Sequence, residues 1–453
     1  MIEIFPKISI MTAIMRQESH REAFFMKVPT KIRIQAVLCT AAILLTGCNN
    51  VSDTVPVYAE ITEKIASETV SLTETTASAA SETTTGYTEP EPEFLTVSFS
   101  VTGDNLIHSS IYKQAQDRSE NAGDPDSYDF TYAYENIVPL IESADIAVIN
   151  QETLICNDIF PPSTYPMFNS PTELGDHMLK IGFDVFTIAN NHTLDKGTDG
   201  LSACLDYWDS RPEAVVCGAY RDEADFNTIR TLESGGITFS FLSYTESLNG
   251  LSLPAGSPLI IGMTQDTDLI CEQIKQAKEI SDVCVVALHW GVENSDIISD
   301  YQRYTASILA EAGADIIIGN HPHVLRGIEE IERSDGSYTL CAYSLGNFIS
   351  AQSVGQNLIG GILQFDVSLY VGNDPEISRD PAFENIRLVP IVTHYDGSYH
   401  DVRLYPLSEY SRELADSHGV KTMSKFGYDY IFEVLKRNID EEYFDPAEYY
   451  IEN

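Results

Sequence analysis

Apolar and polar residues alternate through Leu95-Thr96-Val97-Ser98-Phe99-Ser100-Val101, the period-two pattern of a strand with one covered face. Beyond it, short apolar runs alternate with longer stretches in which apolar residues recur every three or four positions. The runs fall at 146–150, 185–189, 237–244, 283–289 and 316–318. The amphipathic stretches fall at 132–143, 172–181, 198–208, 266–280 and 301–312. Short, continuously apolar runs suit strands covered on both faces, and the longer 3.6-residue pattern suits helices packed on them. This succession predicts a largely parallel sheet with helices on both faces. From Tyr338 the rhythm changes. Strand patterns at 340–344, 359–369 and 385–394 follow one another through turns, which predicts a second sheet packed beside the first. No flexible linker interrupts 94–406, so one large α/β domain is expected there, with 407–453 as an acidic, helical C-terminal extension capping it. Tyr301 and Tyr304 read as helix packing, and Tyr428, Tyr430 and Phe432 as core.

The N-terminal pattern differs. Lys27, Lys31 and Arg33 precede an apolar run at 34–45, too short to span a bilayer but suited to a signal-peptide core. It leads into Leu45-Thr46-Gly47-Cys48, which resembles the lipobox of bacterial lipoproteins. Residues 1–48 are therefore expected to be a signal peptide with Cys48 as the acylated residue. Translation is expected to start at Met26, because the mixed charge of residues 1–25 does not suit a signal. Residues 49–93, rich in Ser, Thr and Glu, hold too few large apolar side chains to offset the entropy of ordering, and read as a disordered tether. The expected place of work is outside the cytoplasmic membrane, on a lipid anchor.

Composition narrows the partners. A net charge of −41 argues against nucleic acid, whose phosphates require clustered Lys and Arg, and against adsorption to anionic lipid through a basic patch. Eight cysteines include Cys39 and Cys48, and the other six form no C-x-x-C pair. Cys271, Cys284 and Cys341 read as buried thiols, while spacing leaves open whether Cys204 and Cys217 pair.

Ligand-type residues recur just after the strand patterns: Gly103-Asp104, Asn150-Gln151-Glu152, Asn190-Asn191-His192 through Asp195, His289-Trp290-Gly291-Val292-Glu293, and Gly319-Asn320-His321-Pro322-His323. In parallel α/β sheets ligands bind outside the carboxyl ends of the strands, so these five loops should converge. Carboxylate, imidazole and amide oxygen together suit one or two divalent ions, Mn, Fe or Zn before Ca or Mg. Glu293 reads either as a partner for a ligand histidine or as a solvated loop residue. Asn347 could line the site or cap a turn, and the turn is preferred.

Taken in order, Gly103-Asp104, Asn150–Glu152, Asn190–Gly197, His289–Glu293, Gly319–His323 and Tyr343–Phe348 resemble the capsule-synthesis protein CapA family. The resemblance implies a calcineurin-like metallophosphatase fold, a four-layer α/β/β/α sandwich, and a role in poly-γ-glutamate capsule synthesis or export. Its partners would be the polymer and the membrane proteins that synthesise it. Position by position, it implies a first metal held by Asp104 and His323, a bridging Glu152, and a second metal held by Asn191, His289 and His321. His192 would not bind metal but would face substrate as a general acid or oxyanion donor, oriented by Asp195. Metallophosphatases open with Asp-x-His, and here Leu106 stands two residues after Asp104. His108 could replace that ligand or lie on the following helix, and the helix is preferred. A polyanionic polymer would be repelled by this acidic chain unless metal and local cations such as Arg326 offset the repulsion. The alternatives are a free-standing metal-dependent hydrolase of the envelope, acting on a phosphoester or another ester or amide, and a non-catalytic scaffold.

Overall fold

In the computed structural model, residues 93–449 are described, except 122, 123, 125 and 375. The expected signal peptide, Cys48 and almost all of the tether lie outside the described residues. The described residues belong to one compact unit, Thr88–Asn453.

Sixteen strands follow in chain order: β1 (Phe94–Asn105), β2 (Ile146–Asn150), β3 (Val185–Thr187), β4 (Val215–Cys217), β5 (Ala219–Tyr220), β6 (Arg230–Ser234), β7 (Ile237–Thr245), β8 (Ile260–Ile261), β9 (Val283–His289), β10 (Ile316–Asn320), β11 (Leu325–Glu332), β12 (Tyr338–Leu345), β13 (Asn347–Ile349), β14 (Ile359–Tyr370), β15 (Ala382–Asp396) and β16 (His400–Pro406). The first sheet runs β16-β15-β14-β1-β2-β3-β4, with β13 also paired to β1; the second runs β11-β12-β10-β9-β7-β6. The main helices are α1 (Ser109–Arg118), α2 (Thr131–Tyr134), α3 (Val138–Glu142), α4 (Thr172–Lys180), α5 (Gly197–Asp209), α6 (Glu223–Phe226), α7 (Thr267–Ile280), α8 (Asp300–Ala312), α9 (Arg412–Ser417) and α10 (Tyr428–Asn438).

Alternation along each strand sets the layers. On β1, Val97, Phe99 and Val101 face the second sheet, where Phe99 meets Phe239 edge-on at 5.1 Å. The opposite face carries Ser98, Ser100 and Thr102, and the Ser100 hydroxyl donates to the Leu140 carbonyl beneath α3 at 2.9 Å. The second sheet divides its residues the same way. Val283, Val285, Ile316 and Ile318 join the core between the sheets. Cys284, Val286, Leu288 and Ile317 pack instead with Ile270 and Ile274 of α7 and Leu309 of α8. Each such side chain, fully buried, contributes about 1.5–3 kcal/mol. The result is the expected four-layer α/β/β/α sandwich.

Several expectations are corrected. The strands after Tyr338 do not build a sheet of their own: β12 adds in parallel beside β10, while β14, β15 and β16 extend the first sheet antiparallel from β1. The helix expected over 132–143 is broken into α2 and α3, with Pro139 at the start of α3, where its missing N–H costs no intrahelical bond. Tyr301 and Tyr304 do not pack, being 40% and 67% exposed; the buried face of α8 is Gln302, Thr305, Ala306, Leu309 and Ala310. Cys271 is only half-buried, and Cys204 and Cys217 are free thiols. Among the described residues, no helix is long and apolar enough to cross a membrane.

Candidate metal centre

β1, β2 and β3 run parallel in one sheet, and β7, β9 and β10 run parallel in the other. Their carboxyl ends meet, and the five ligand-bearing loops do converge. Asp104, next to last in β1, lies in register with Asn150 of β2 on one side and Asn347 of β13 on the other. His289 ends β9 between Thr245 of β7 and Asn320 of β10. The sheets are tied together at this point, because the backbone N–H of His321 donates to Asp104 Oδ2 at 3.2 Å. His321 and His323 both take positive φ, 95° and 59°, a conformation that costs a non-glycine residue energy and recurs at functional sites.

Two groups of donors form around Glu152. In the first, Asp104, Glu152 and His323 each offer an atom such that all lie within 4.8 Å of one another, and all three residues are buried. His323 Nδ1 lies 3.1 Å from Asp104 Oδ2 and 3.9 Å from Glu152 Oε2. In the second, His289 Nε2 lies 2.9 Å from Asn191 Oδ1, 3.1 Å from His321 Nδ1 and 3.7 Å from Glu152 Oε1. Glu152 thus faces both groups, one oxygen to each.

The electrostatics suit the binding of a cation. Both Glu152 oxygens are buried without a hydrogen-bond partner among the described residues. Burial, and then the neighbouring Asp104 charge, push the Glu152 carboxyl well above its usual range. Buried polar groups are normally paired, so an orphaned carboxylate among imidazoles calls for a ligand. Burial also pushes His289 well below its ordinary value, and His321 to about 4, which leaves them neutral as metal ligation requires. His323 goes the other way: burial opposes its charge, but Glu152 and Asp104 outweigh burial and raise it to about 9. The proton it keeps stands where a metal ion would balance the same carboxylates.

His192 stands apart from both groups. Its Nδ1 lies 2.8 Å from Asp195 Oδ2, which also accepts the Phe168 N–H at 2.6 Å, so the ring is held in one orientation. Its Nε2 points toward Glu152 Oε1 at 4.0 Å, and Phe168 packs edge-on against the ring at 4.7 Å.

The remaining predicted residues fall elsewhere. Glu293 is exposed in the loop after Trp290. The carboxylate that braces this loop is Glu246, which sequence reading missed: its Oε2 accepts the Gly291 N–H at 2.8 Å, just behind His289. Leu106 is buried, and His108 is the residue preceding α1, its Nδ1 accepting the Ala351 N–H at 3.2 Å. Arg326 offers no charge to a polymer. It is 1% exposed and donates to the Ser295 and Val292 carbonyls and to Gln302 Oε1, so it shapes the 292–295 loop. The sequence marks Asn150 only as part of a motif, and of the two places it allows Asn347 the structure shows the site rather than the preferred turn. Asn150 Nδ2 donates to Asp104 Oδ1 at 2.7 Å, and Asn347 Oδ1 lies 3.0 Å from His323 Nδ1. An asparagine just after a strand reads the same whether it serves a turn or a site, so only register could have separated the two.

Residues 98–352, more than half the chain, match the family described as bacterial capsule synthesis protein PGA_cap. The PGA biosynthesis protein CapA of Bacillus subtilis (strain 168) is 32% identical over 186 residues, 41% of this chain and 47% of that protein. The capsule biosynthesis protein CapA of Bacillus anthracis is 30% identical over 189 residues, 41% of this chain and 44% of that protein. The chain thus spans about half the length of these curated relatives. Among solved structures, a 5′-nucleotidase from Candida albicans SC5314 matches with a TM-score of 0.33 and 12% identity, over 63% of this chain and 50% of that one. The matched family region contains every member of the centre from Asp104 to Asn347, and the chain belongs to the bacterial capsule synthesis protein family PGA_cap.

Proposed function

We propose that this protein supports poly-γ-glutamate capsule synthesis or export from outside the cytoplasmic membrane, held there by a lipid on Cys48, through a divalent-metal centre. The observation that carries the metal reading is Glu152: two buried, unpartnered carboxylate oxygens, each turned toward a separate set of donors. Family membership and the printed names of the Bacillus relatives support the capsule role. Asp104, Glu152 and His323 would hold one ion, and Glu152, Asn191, His289 and His321 the other. Mn, Fe or Zn suits this mixture of carboxylate, amide and imidazole. When bound, a divalent ion would polarise an ester, phosphoryl or amide oxygen as a Lewis acid. The chain's own contribution is His192. Asp195 fixes its Nδ1 side, leaving Nε2 to hold or deliver a proton at the face where Glu152 lies.

The same dyad favours a second reading, a free-standing hydrolase of envelope phosphoesters, other esters or amides. The test is metal analysis of the purified chain, with turnover assays on phosphomonoester, phosphodiester and γ-glutamyl substrates. Replacing His289 and His321 together by Ala should lower the metal content by removing the ion that they share with Glu152 and Asn191, while circular dichroism stays native. Unchanged metal content would overturn the ligand assignment. Turnover of a small phosphoester, lost in His192→Ala with metal retained, would favour the hydrolase over the capsule role.

A further inference from the structure

We infer that Asn347 is a ligand of the first metal position, its side-chain oxygen taking the place of the histidine that Leu106 replaces. The inference rests on the metal reading above and names a donor that the resemblance to metallophosphatases does not supply.

Leu106 cannot serve, because its side chain is apolar and buried. Its backbone N–H donates to the Ile349 carbonyl at 3.0 Å, so the end of β1 is stitched to β13. That parallel pairing sets Asn347 directly beside Asp104. Asn347 is 1% exposed, so its amide must be satisfied by the protein or by a ligand. The nitrogen is fully engaged: Nδ2 lies 3.0 Å from Ser350 Oγ, 2.9 Å from Gln352 Oε1 and 2.8 Å from the Asn357 carbonyl. The Asn357 backbone carbonyl can only accept, which settles which end of the amide is which. The oxygen therefore faces the centre, 3.0 Å from His323 Nδ1.

His323 Nδ1 is now encircled by oxygen. Besides Asn347 Oδ1, Asp104 Oδ2 stands at 3.1 Å and Glu152 Oε2 at 3.9 Å. One ring nitrogen carries at most one proton, so a single N–H is shared between Asp104 Oδ2 and Asn347 Oδ1 and leaves Glu152 Oε2 without a donor. One divalent ion can take all four atoms as ligands. Adjacent ligands about 2.1 Å from an octahedral ion lie about 3 Å apart, which is the spacing of His323 Nδ1 to both Asn347 Oδ1 and Asp104 Oδ2. Exchanging imidazole for amide oxygen makes this position three oxygens and one nitrogen, a set that shifts preference from Zn2+ toward Mn2+.

The test uses the full chain in detergent, titrated with Mn2+ by calorimetry and followed by electron paramagnetic resonance. Asn347→Leu removes the oxygen and should weaken one of the bound ions by at least about tenfold. Asn347→Asp also loses the amide hydrogens but keeps an oxygen, and should keep the stoichiometry of the unaltered chain. A purely structural role would make the two variants behave alike, and equal Mn2+ affinity in Leu and unaltered chains would overturn the inference. Anomalous diffraction from Mn2+-loaded crystals of the unaltered chain decides independently of how the variants fold. Asn347 Oδ1 within about 2.0–2.4 Å of an ion that also touches Asp104 is the expected result. An ion on Asp104 and His323 with Asn347 Oδ1 beyond about 3.5 Å would sink this assignment alone. No ion anywhere would bring down the metal reading with it.

Discussion

Glu152 shows what a single residue costs and returns. A carboxylate shut away from water with no donor is a penalty to the fold, and the Asp104 charge beside it adds to that penalty. Asp104 itself is compensated by Asn150 Nδ2 and the His321 N–H, so the imbalance is local to Glu152. Glu152→Gln removes the charge and keeps the shape. In ion-free protein the variant should be as stable as the unaltered chain or more so, measured by urea unfolding. With Mn2+ or Zn2+ present the order should reverse, because affinity falls by about 10- to 100-fold or more. A variant less stable without metal would show that Glu152 serves the fold rather than an ion. Much of this was legible in the sequence, since a carboxylate two residues beyond a strand and histidines at strand ends have few other reasons to cluster. Asp104, Glu152 and His323 still come together at the first position, although Leu106 supplies no ligand there. Residue type showed the missing histidine but could not show Asn347 in register with Asp104.

At the scale of elements, the centre depends on how closely two turns approach. A Cβ on Gly103 would come within 1.9 Å of the Gly346 carbonyl oxygen, and Gly346 itself turns with φ at 68°. The contact is backbone against backbone, so nothing flexible can yield. It holds Asp104 against β13 through the Asp104 N–H to Gly346 carbonyl bond of 3.0 Å. Gly103→Ala should cost about 1–3 kcal/mol in denaturant unfolding, and should weaken metal binding by spreading Asp104 from Asn347. Loss of stability with unaltered metal affinity would mean that the centre tolerates that spreading. Apolar runs marked β2 and β9 to the residue, because strands covered on both faces leave an unbroken signature. Two- and three-residue strands such as β5, β8 and β13 carry too little pattern to be seen. Sheet membership was also hidden: alternation on β14 reports how many of its faces are covered, and says nothing of β1 as its neighbour.

For the whole molecule, charge and buried histidine set the response to pH. The chain carries a net charge of −41, so mild acid, by neutralising carboxylates, should relieve self-repulsion. Buried histidines oppose that gain. His418 is the clearest case away from the centre. Its Nδ1 accepts the Val420 N–H at 3.0 Å and its Nε2 lies 2.9 Å from the Thr393 carbonyl, so the neutral ring joins the C-terminal segment to β15. Burial is the main reason its pKa falls from 6.5 to about 3, with His394, ring to ring at 4.8 Å, adding to the shift. Because the folded value lies below the unfolded one, the unfolded chain binds the extra proton between those two values. The His418 contribution is therefore complete above about pH 6.5 and is lost progressively as pH falls toward about 3. One proton corresponds to a slope of about 1.4 kcal/mol per pH unit in that window. Gln at this position can accept from Val420 and donate to Thr393 without titrating. His418→Gln should match the unaltered chain near neutral pH to within the packing difference, and should lose stability less steeply, by up to that slope, in urea unfolding from pH 6.5 downward. Parallel curves would mean that the His418 ring takes up its proton in the folded state, and that acid sensitivity lies with histidines such as His108 and His177, both lowered to about 4 chiefly by burial.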